Sequence, residues 1–112
     1  MLPDLRAFHD GLLLDASCAP RREVRFQIAL MTKGEGPVLS PTAAELRFGA
    51  IDNYDEVSHF VGGLKRIHPE AILDEILSLE HVRGMWTLTL DNAGVLKIRT
   101  AKPPTFAWSG AG

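Results

Sequence analysis

The last third of the chain alternates apolar and polar residues on either side of a turn. Residues 86–90 and 95–99 each repeat with a period of two, and the segment Asp91-Asn92-Ala93-Gly94 separates them. Because a period of two puts alternate side chains on opposite faces of a strand, the pattern predicts a β-hairpin. Its apolar set consists of Trp86, Leu88, Leu90, Leu96 and Ile98.

The turn of this hairpin must keep both apolar sets on one face. Pairing Leu90 with Val95 would put Leu88 opposite Lys97, which spoils the apolar face. A type I turn followed by a bulge, with Gly94 in the left-handed conformation, avoids the conflict. The register predicted on this basis pairs Leu90 with Leu96, Leu88 with Ile98 and Trp86 with Thr100.

Three further strands are indicated nearer the start of the chain. Residues 12–16 form a short apolar run, while residues 24–31 and 46–50 alternate with a period of two. The glycines and prolines between the second and third strands predict a loop over 33–42.

Two segments in the middle of the chain favour helices. Asn53 is a suitable N-cap for a short helix that ends at Gly62-Gly63, with Glu56 three residues after the cap. Residues 69–82 begin with a proline and carry a wide apolar stripe, which predicts the main helix. The stripe contains Ile72, Leu73, Ile76, Leu77 and Leu79. The competing interpretation is a strand over 75–80, which would place Ile76, Ser78 and Glu80 on one face.

These elements predict a β-rich α+β fold. We expect an antiparallel sheet of about five strands with the 69–82 helix on one face, and an all-β fold is the alternative. Residues 1–112 are expected to form one domain. Residues 102–112 are expected to be an extended tail, because Pro103 and Pro104 disfavour a central strand.

Composition and charge narrow the classes of function. The formal net charge is -2, but residues 52–80 hold seven acidic and two basic side chains, while residues 81–112 hold one acidic and four basic. Without a basic stripe and interleaved aromatics, nucleic-acid binding is not expected. No apolar run approaches the ~20 residues of a membrane helix. The single cysteine, Cys18, and the lack of a signal-peptide pattern point to the cytoplasm.

Candidate catalytic and metal-binding residues are few and poorly spaced. His9 and Asp10 are adjacent, and neighbours on a strand point to opposite faces, which argues against a catalytic pair. His59, His68 and His81 do not have the spacing of a zinc site. We therefore assign no catalytic residue, cofactor or metal.

A resemblance to a known family adds to this interpretation. The chain resembles a group of small bacterial β-rich proteins that includes the polymorphic-toxin immunity family numbered fifty. The residues that carry the resemblance are Phe8-His9-Asp10, Leu46-Arg47-Phe48, Trp86-Thr87-Leu88, Gly94 and Ile98. The resemblance spans roughly 8–100 and implies a protein that acts by binding a toxin, without implying a role for any single residue.

The expected function is non-enzymatic binding of another protein, and an immunity-type inhibitor of a toxin is one form that this function could take. A small-molecule-binding domain and an enzyme with an unrecognised site are the alternatives, and a homo-oligomer stays open. We expect the partner surface to use the acidic stretch over 52–80, since the apolar stripe of the second helix would leave its charges outward. The residues assigned to this surface are Asp52, Asp55, Glu56, Asp74, Glu75 and the tail aromatic Trp108.

Overall fold

In the residues that the structure describes, the fold is built around seven strands and one α-helix. The computed structural model describes residues 3–33, 39–64 and 72–108. A one-turn 3₁₀ helix, η1 (Leu5–Phe8), precedes β1 (Gly11–Ala19), β2 (Glu23–Lys33) and β3 (Leu39–Phe48). The helix α1 (Tyr54–Gly63) follows, and then β4 (Asp74–Val82), β5 (Met85–Leu90), β6 (Gly94–Arg99) and β7 (Thr105–Trp108). Neither helix in these ranges is long and apolar enough to cross a membrane.

All seven strands form one antiparallel sheet in the order β6-β5-β4-β1-β2-β3-β7. Alternate residues of each strand turn to one buried face, where Val57 of α1 and Phe8 of η1 join the core. Edge-to-face aromatic contacts link distant strands, as Phe48 of β3 lies 5.7 Å from Trp86 of β5 between ring centroids. The broad β-rich α+β class predicted from the sequence is therefore confirmed.

The sheet curls so that the segment after β3 meets the end of β6. Ile51 forms an isolated antiparallel bridge with Thr100, and the Asp52 N–H donates to the Arg99 carbonyl at 2.7 Å. The Thr100 hydroxyl donates to the Gly49 carbonyl at 2.8 Å. These bonds protect the outer edge of β6.

The strands β1 and β4 overlap over a short distance only. Their pairing joins Gly11, Leu12 and Leu13 to Ile76, Glu75 and Asp74, respectively. β4 then continues to Val82, past the point where β1 begins. Beyond Ile76, no strand in the described part of the chain pairs with this side of β4.

The main helix predicted over 69–82 is wrong for residues 74–82, which form β4; residues 69–71 lie outside the described residues. The cause is a β-bulge, because Ile76 faces Leu90, Ser78 faces Thr89, and Leu77 has no residue opposite it. The extra residue puts both Ile76 and Leu79 on the buried face. Their separation of three positions therefore imitates the spacing of a helix.

The predicted hairpin forms, but its predicted register is wrong by two residues. Leu90 faces Gly94, Leu88 faces Leu96, and Trp86 faces Ile98. Gly94 is left-handed as expected, with φ of +95°, but it belongs to β6 and closes a three-residue turn. A shift of two residues leaves the same side chains buried, so the apolar pattern does not distinguish the two registers.

Two other boundaries also differ from the sequence predictions. Residues 39–42, expected in a loop, belong to β3, and Pro41 lies opposite Met31 in the ladder. Residues 105–108, expected in an extended tail, form the edge strand β7 beside β3. Within the described residues the sheet thus has seven strands, not about five, since β4 was expected only as the alternative to a helix and β7 was not expected.

Candidate functional site

An open groove lies between η1 and β4. Its volume is about 690 Å³. Residues 77–82 of β4 form one wall, and the lining is largely apolar. Leu5, Arg6 and His9 form the opposite wall.

A local ion pair shapes the η1 wall of the groove. The Asp4 carboxylate caps η1 by accepting from the Arg6 N–H at 2.9 Å, and it also accepts from the Arg6 guanidinium at 2.8 Å. These hydrogen bonds from Arg6 lower the pKa of the Asp4 carboxyl to about 2. The charge of Arg6 is therefore already paired within η1. Phe8 at the end of the turn is fully buried and anchors η1 to the core.

His9 closes one end of the groove. Its Nδ1 lies 2.8 Å from the Leu77 carbonyl oxygen, and since a carbonyl only accepts, Nδ1 carries the proton. Nε2 lies 3.5 Å from the Asp10 carboxylate. His9 and Asp10 thus contact each other, contrary to the expectation from strand geometry, because both residues precede β1 and Asp10 is left-handed, with φ of +63°. Both ring nitrogens therefore face a partner, which suits a positioning role better than proton transfer.

His81 lies at the other end of the groove and packs on the sheet. Its ring stacks on Trp86 with centroids 4.2 Å apart and planes inclined by 15°. Its Nε2 accepts from the Gly84 N–H at 3.1 Å, which requires an unprotonated nitrogen at that position. This contact ties His81 to the turn between β4 and β5.

The acidic residues assigned to a partner surface lie on two different elements of the structure. Asp52, Asp55 and Glu56 are exposed before and within the first turn of α1, and Glu75 is exposed on β4. The expected single negative surface assumed that two helices lie side by side. Residues 74–82 form a strand, so no second helix in this range lies beside α1. Trp108 is 45% exposed on β7, and its ring lies 5.0 Å from the half-buried Phe106.

Asp74 was expected to point outward and is instead buried, with 3% of its surface exposed. Its carboxylate accepts from the backbone N–H groups of Glu75 and Asn92 at 2.8 and 3.0 Å and from that of Ala93 at 2.8 Å. Burial raises the pKa of the Asp74 carboxyl, but the hydrogen bonds from Ala93, Asn92 and Glu75 together outweigh it, so the pKa lies below its ordinary value. Asp74 holds the β5–β6 turn and is not available to a partner.

Other ionisable residues form no metal site in the described ranges. No three His, Cys, Asp or Glu side chains among residues 3–33, 39–64 and 72–108 are grouped closely enough to hold a metal ion. His59 is exposed on α1, and His68 lies outside the described residues. Cys18 is an exposed free thiol on β1.

The groove was not recognised from the sequence. The signal for η1 is the Asp4 cap before a short turn, but a single turn gives no repeating apolar pattern. The offset between β1 and β4 depends on strand pairing, which no local pattern encodes. Comparison with models of protein families, with curated proteins and with solved structures finds no match.

Proposed function

We propose that this chain is a non-enzymatic protein-binding domain whose contact site is the groove between η1 and β4. The observation that supports this proposal is the exposed apolar wall of the groove. Val82 is 67% exposed, and Leu5 and Leu77 are half-buried beside the groove. Apolar surface of this kind, rimmed by polar groups, is typical of protein interaction sites. The rim groups of Arg6 and His9 are already bonded within the chain, which leaves the apolar wall for a partner.

An immunity-type inhibitor is the specific form of this proposal that the sequence resemblance implies. The partner would then be a toxin, and both proteins would meet in the cytoplasm. The product of an adjacent gene is the first partner to test. Binding should block that protein's toxicity, and substitutions in the groove should restore it.

The exposed carboxylates before and within the first turn of α1 have a supporting role in this proposal. Asp52, Asp55 and Glu56 would speed the association of a basic partner and contribute little to its affinity. Replacing Asp55 and Glu56 by lysine should therefore lower the association rate at low salt more than at high salt. Equal rates for the variant and the wild type at low salt would remove these residues from the partner surface.

A small apolar ligand is the second candidate. The groove volume of about 690 Å³ lies within the usual range of small-molecule sites, roughly 300–1,000 Å³. Protein binding fits better because the groove is open along the strand and would leave much of a small ligand in contact with water.

Site-specific photo-crosslinking in the host cell tests the proposed site. A photoreactive residue at position 82 lies in the groove wall, while one at position 95 is similarly exposed on β6 outside the groove lining. We expect a protein crosslink from position 82 and not from position 95, and its loss when Leu77→Glu is added. The same crosslinked product from both positions, or none from position 82, would overturn the groove as a protein-binding site.

A further inference from the structure

We propose that the groove binds its partner by strand addition, in which an extended segment of the partner pairs with the open edge of β4. The segment has about five residues and carries apolar side chains at alternate positions. This inference rests on the function proposed above and adds the mode of binding and the chemistry of the segment.

The turn after β4 determines which backbone groups point into the groove. Arg83 and Gly84 are both left-handed, with φ of +50° and +79°, as in the two-residue turns that close hairpins. In such a hairpin the closing pair, Val82 and Met85, exchanges backbone hydrogen bonds. Bonding alternates along an antiparallel ladder, so Glu80 also bonds toward β5, whereas the N–H and C=O groups of His81 point to the other side.

The same alternation applies to the rest of the edge. Ser78 bonds toward β5, and Leu79 presents its N–H and C=O groups to the groove. Leu77 is the bulged residue, so its direction follows from its contact and not from the alternation. Its carbonyl oxygen lies 2.8 Å from Nδ1 of His9, which is outside the sheet, and therefore points into the groove. A side chain from outside the sheet therefore already bonds to the first position of the edge.

The length of the open edge sets the length of the segment. Residues 77–82 extend beyond the pairing of β1 with β4, and at about 3.3 Å per residue they span roughly 20 Å. An added strand of about five residues would bond to Leu79 and His81. Its alternate side chains would lie on the same face as Leu79, beside Leu5 of η1. Leu5 packs against the core, so apolar side chains are favoured at those positions.

The edge can first be tested without any ligand. Amide hydrogen exchange followed by NMR should show faster exchange at Leu79 and His81 than at Ser78 and Glu80, whose N–H groups lie in the ladder with β5. Exchange of Leu79 and His81 as slow as that of Ser78 and Glu80 in dilute protein would mean that the edge is occupied within the chain. That result would overturn strand addition.

The ligand test uses a phage-displayed library of random seven-residue peptides selected on the full chain. We expect selected peptides to alternate apolar and polar residues. Their binding should slow the exchange of the Leu79 and His81 amides by at least about tenfold, while Ser78 and Glu80 change little.

Two matched variants of His81 isolate the contribution of its backbone N–H to peptide binding. His81→Ala and His81→Pro both lose the stacking on Trp86 and the bond to Gly84. Only His81→Pro loses the N–H that points into the groove, and it leaves the ladder with β5 intact. We expect His81→Pro to bind the selected peptides about three- to tenfold more weakly than His81→Ala, the effect of one backbone hydrogen bond.

The outcomes separate the mode of binding from the proposed function. Peptides that bind at position 82 without protecting Leu79 and His81, or that bind the two variants equally, would overturn strand addition and leave the groove as a binding site. A library that yields no peptide dependent on the groove would overturn both. Protection of Leu79 and His81 that grows with protein concentration and needs no peptide would identify a second copy as the occupant, and would overturn the assignment to a partner segment.

Discussion

Replacing Asp74 tests directly whether its carboxylate stabilises the β5–β6 turn. Three backbone N–H groups donate to this buried side chain, from Glu75, Asn92 and Ala93. A bond to a charged acceptor contributes about 1.5–3 kcal/mol when buried. The three donor residues are exposed, so water partly replaces the acceptor that the substitution removes. We therefore assign about 1 kcal/mol to each bond. Asp74→Ala should therefore lower the free energy of unfolding by about 3 kcal/mol.

Asp74→Asn separates the charge from the shape of the side chain. The amide keeps one acceptor oxygen but places an NH₂ group against the N–H of Ala93 or of Asn92, so we expect a loss of about 1.5 kcal/mol. Glu75→Gln is the matched control, because Glu75 is the exposed neighbour on the same strand, and it should change the free energy of unfolding by less than about 0.5 kcal/mol. Urea denaturation at pH 7 measures all three variants.

The pH dependence of the unfolding free energy tests whether the charged form of Asp74 stabilises the folded chain. The pKa of Asp74 is lower in the folded chain than its ordinary value of 3.8, so the unfolded chain binds more protons as the pH falls through this range. The contribution of the carboxylate is complete above about pH 5 and is lost as the pH falls toward the folded pKa. The difference in unfolding free energy between wild type and Asp74→Asn should therefore shrink between about pH 5 and pH 3. A difference that stays constant with pH, or a loss below about 0.5 kcal/mol for Asp74→Ala, would refute the assignment.

Four further substitutions test the turns and edges by thermal or urea unfolding. Gly94→Ala should destabilise by about 1 kcal/mol, because its φ of +95° is unfavourable for a residue with a side chain. Arg21→Gly should instead stabilise by about 0.5–1 kcal/mol, since Arg21 is left-handed with φ of +67°; a loss of stability would contradict this explanation. Asn53→Ala should cost about 1–2 kcal/mol through two hydrogen bonds to β6, and no change would show that water replaces them. Gly11→Ala should cost about 1–3 kcal/mol, because its Cβ would lie 3.0 Å from the Phe8 carbonyl oxygen; an unaffected melting temperature would mean that η1 moves freely.

Local pattern predicted five of the seven strands in the described residues: β2, β3, β5 and β6 from a period of two, and β1 from a short apolar run. β4 lacks that signal, since the bulge at Leu77 changes the phase of the apolar residues within the strand. β7 lacks it for a different reason, because it has four residues and follows two prolines. Its position in the sheet depends on pairing with β3, a contact between segments far apart in the chain.

The short helix shows how a correct local prediction can miss the role of a side chain. Asn53 is the N-cap of α1, as predicted, but its side chain makes no capping bond. It donates to the Lys97 carbonyl at 2.7 Å and accepts from the Arg99 N–H at 2.8 Å. The side-chain amide of Asn53 thus makes two hydrogen bonds with β6 of the kind that a neighbouring strand would make. The residue type favoured at a cap is also one that can satisfy a sheet edge, and only the tertiary structure distinguishes these roles.

The strongest reason to assign a binding function to β4 is the difference between its edge and the two outer edges of the sheet. Natural sheets protect exposed edges, since unpaired N–H and C=O groups recruit other strands. The edge of β6 is covered by Ile51, Asp52 and Asn53, and β7 is only four residues long. Along residues 77–82 of β4, by contrast, His9 is the one side chain of the described structure that bonds to the strand edge. The groove beside this edge is wide enough for an added segment. An edge that is open over 77–82 is best explained by a partner strand, because an unprotected edge without one would promote aggregation.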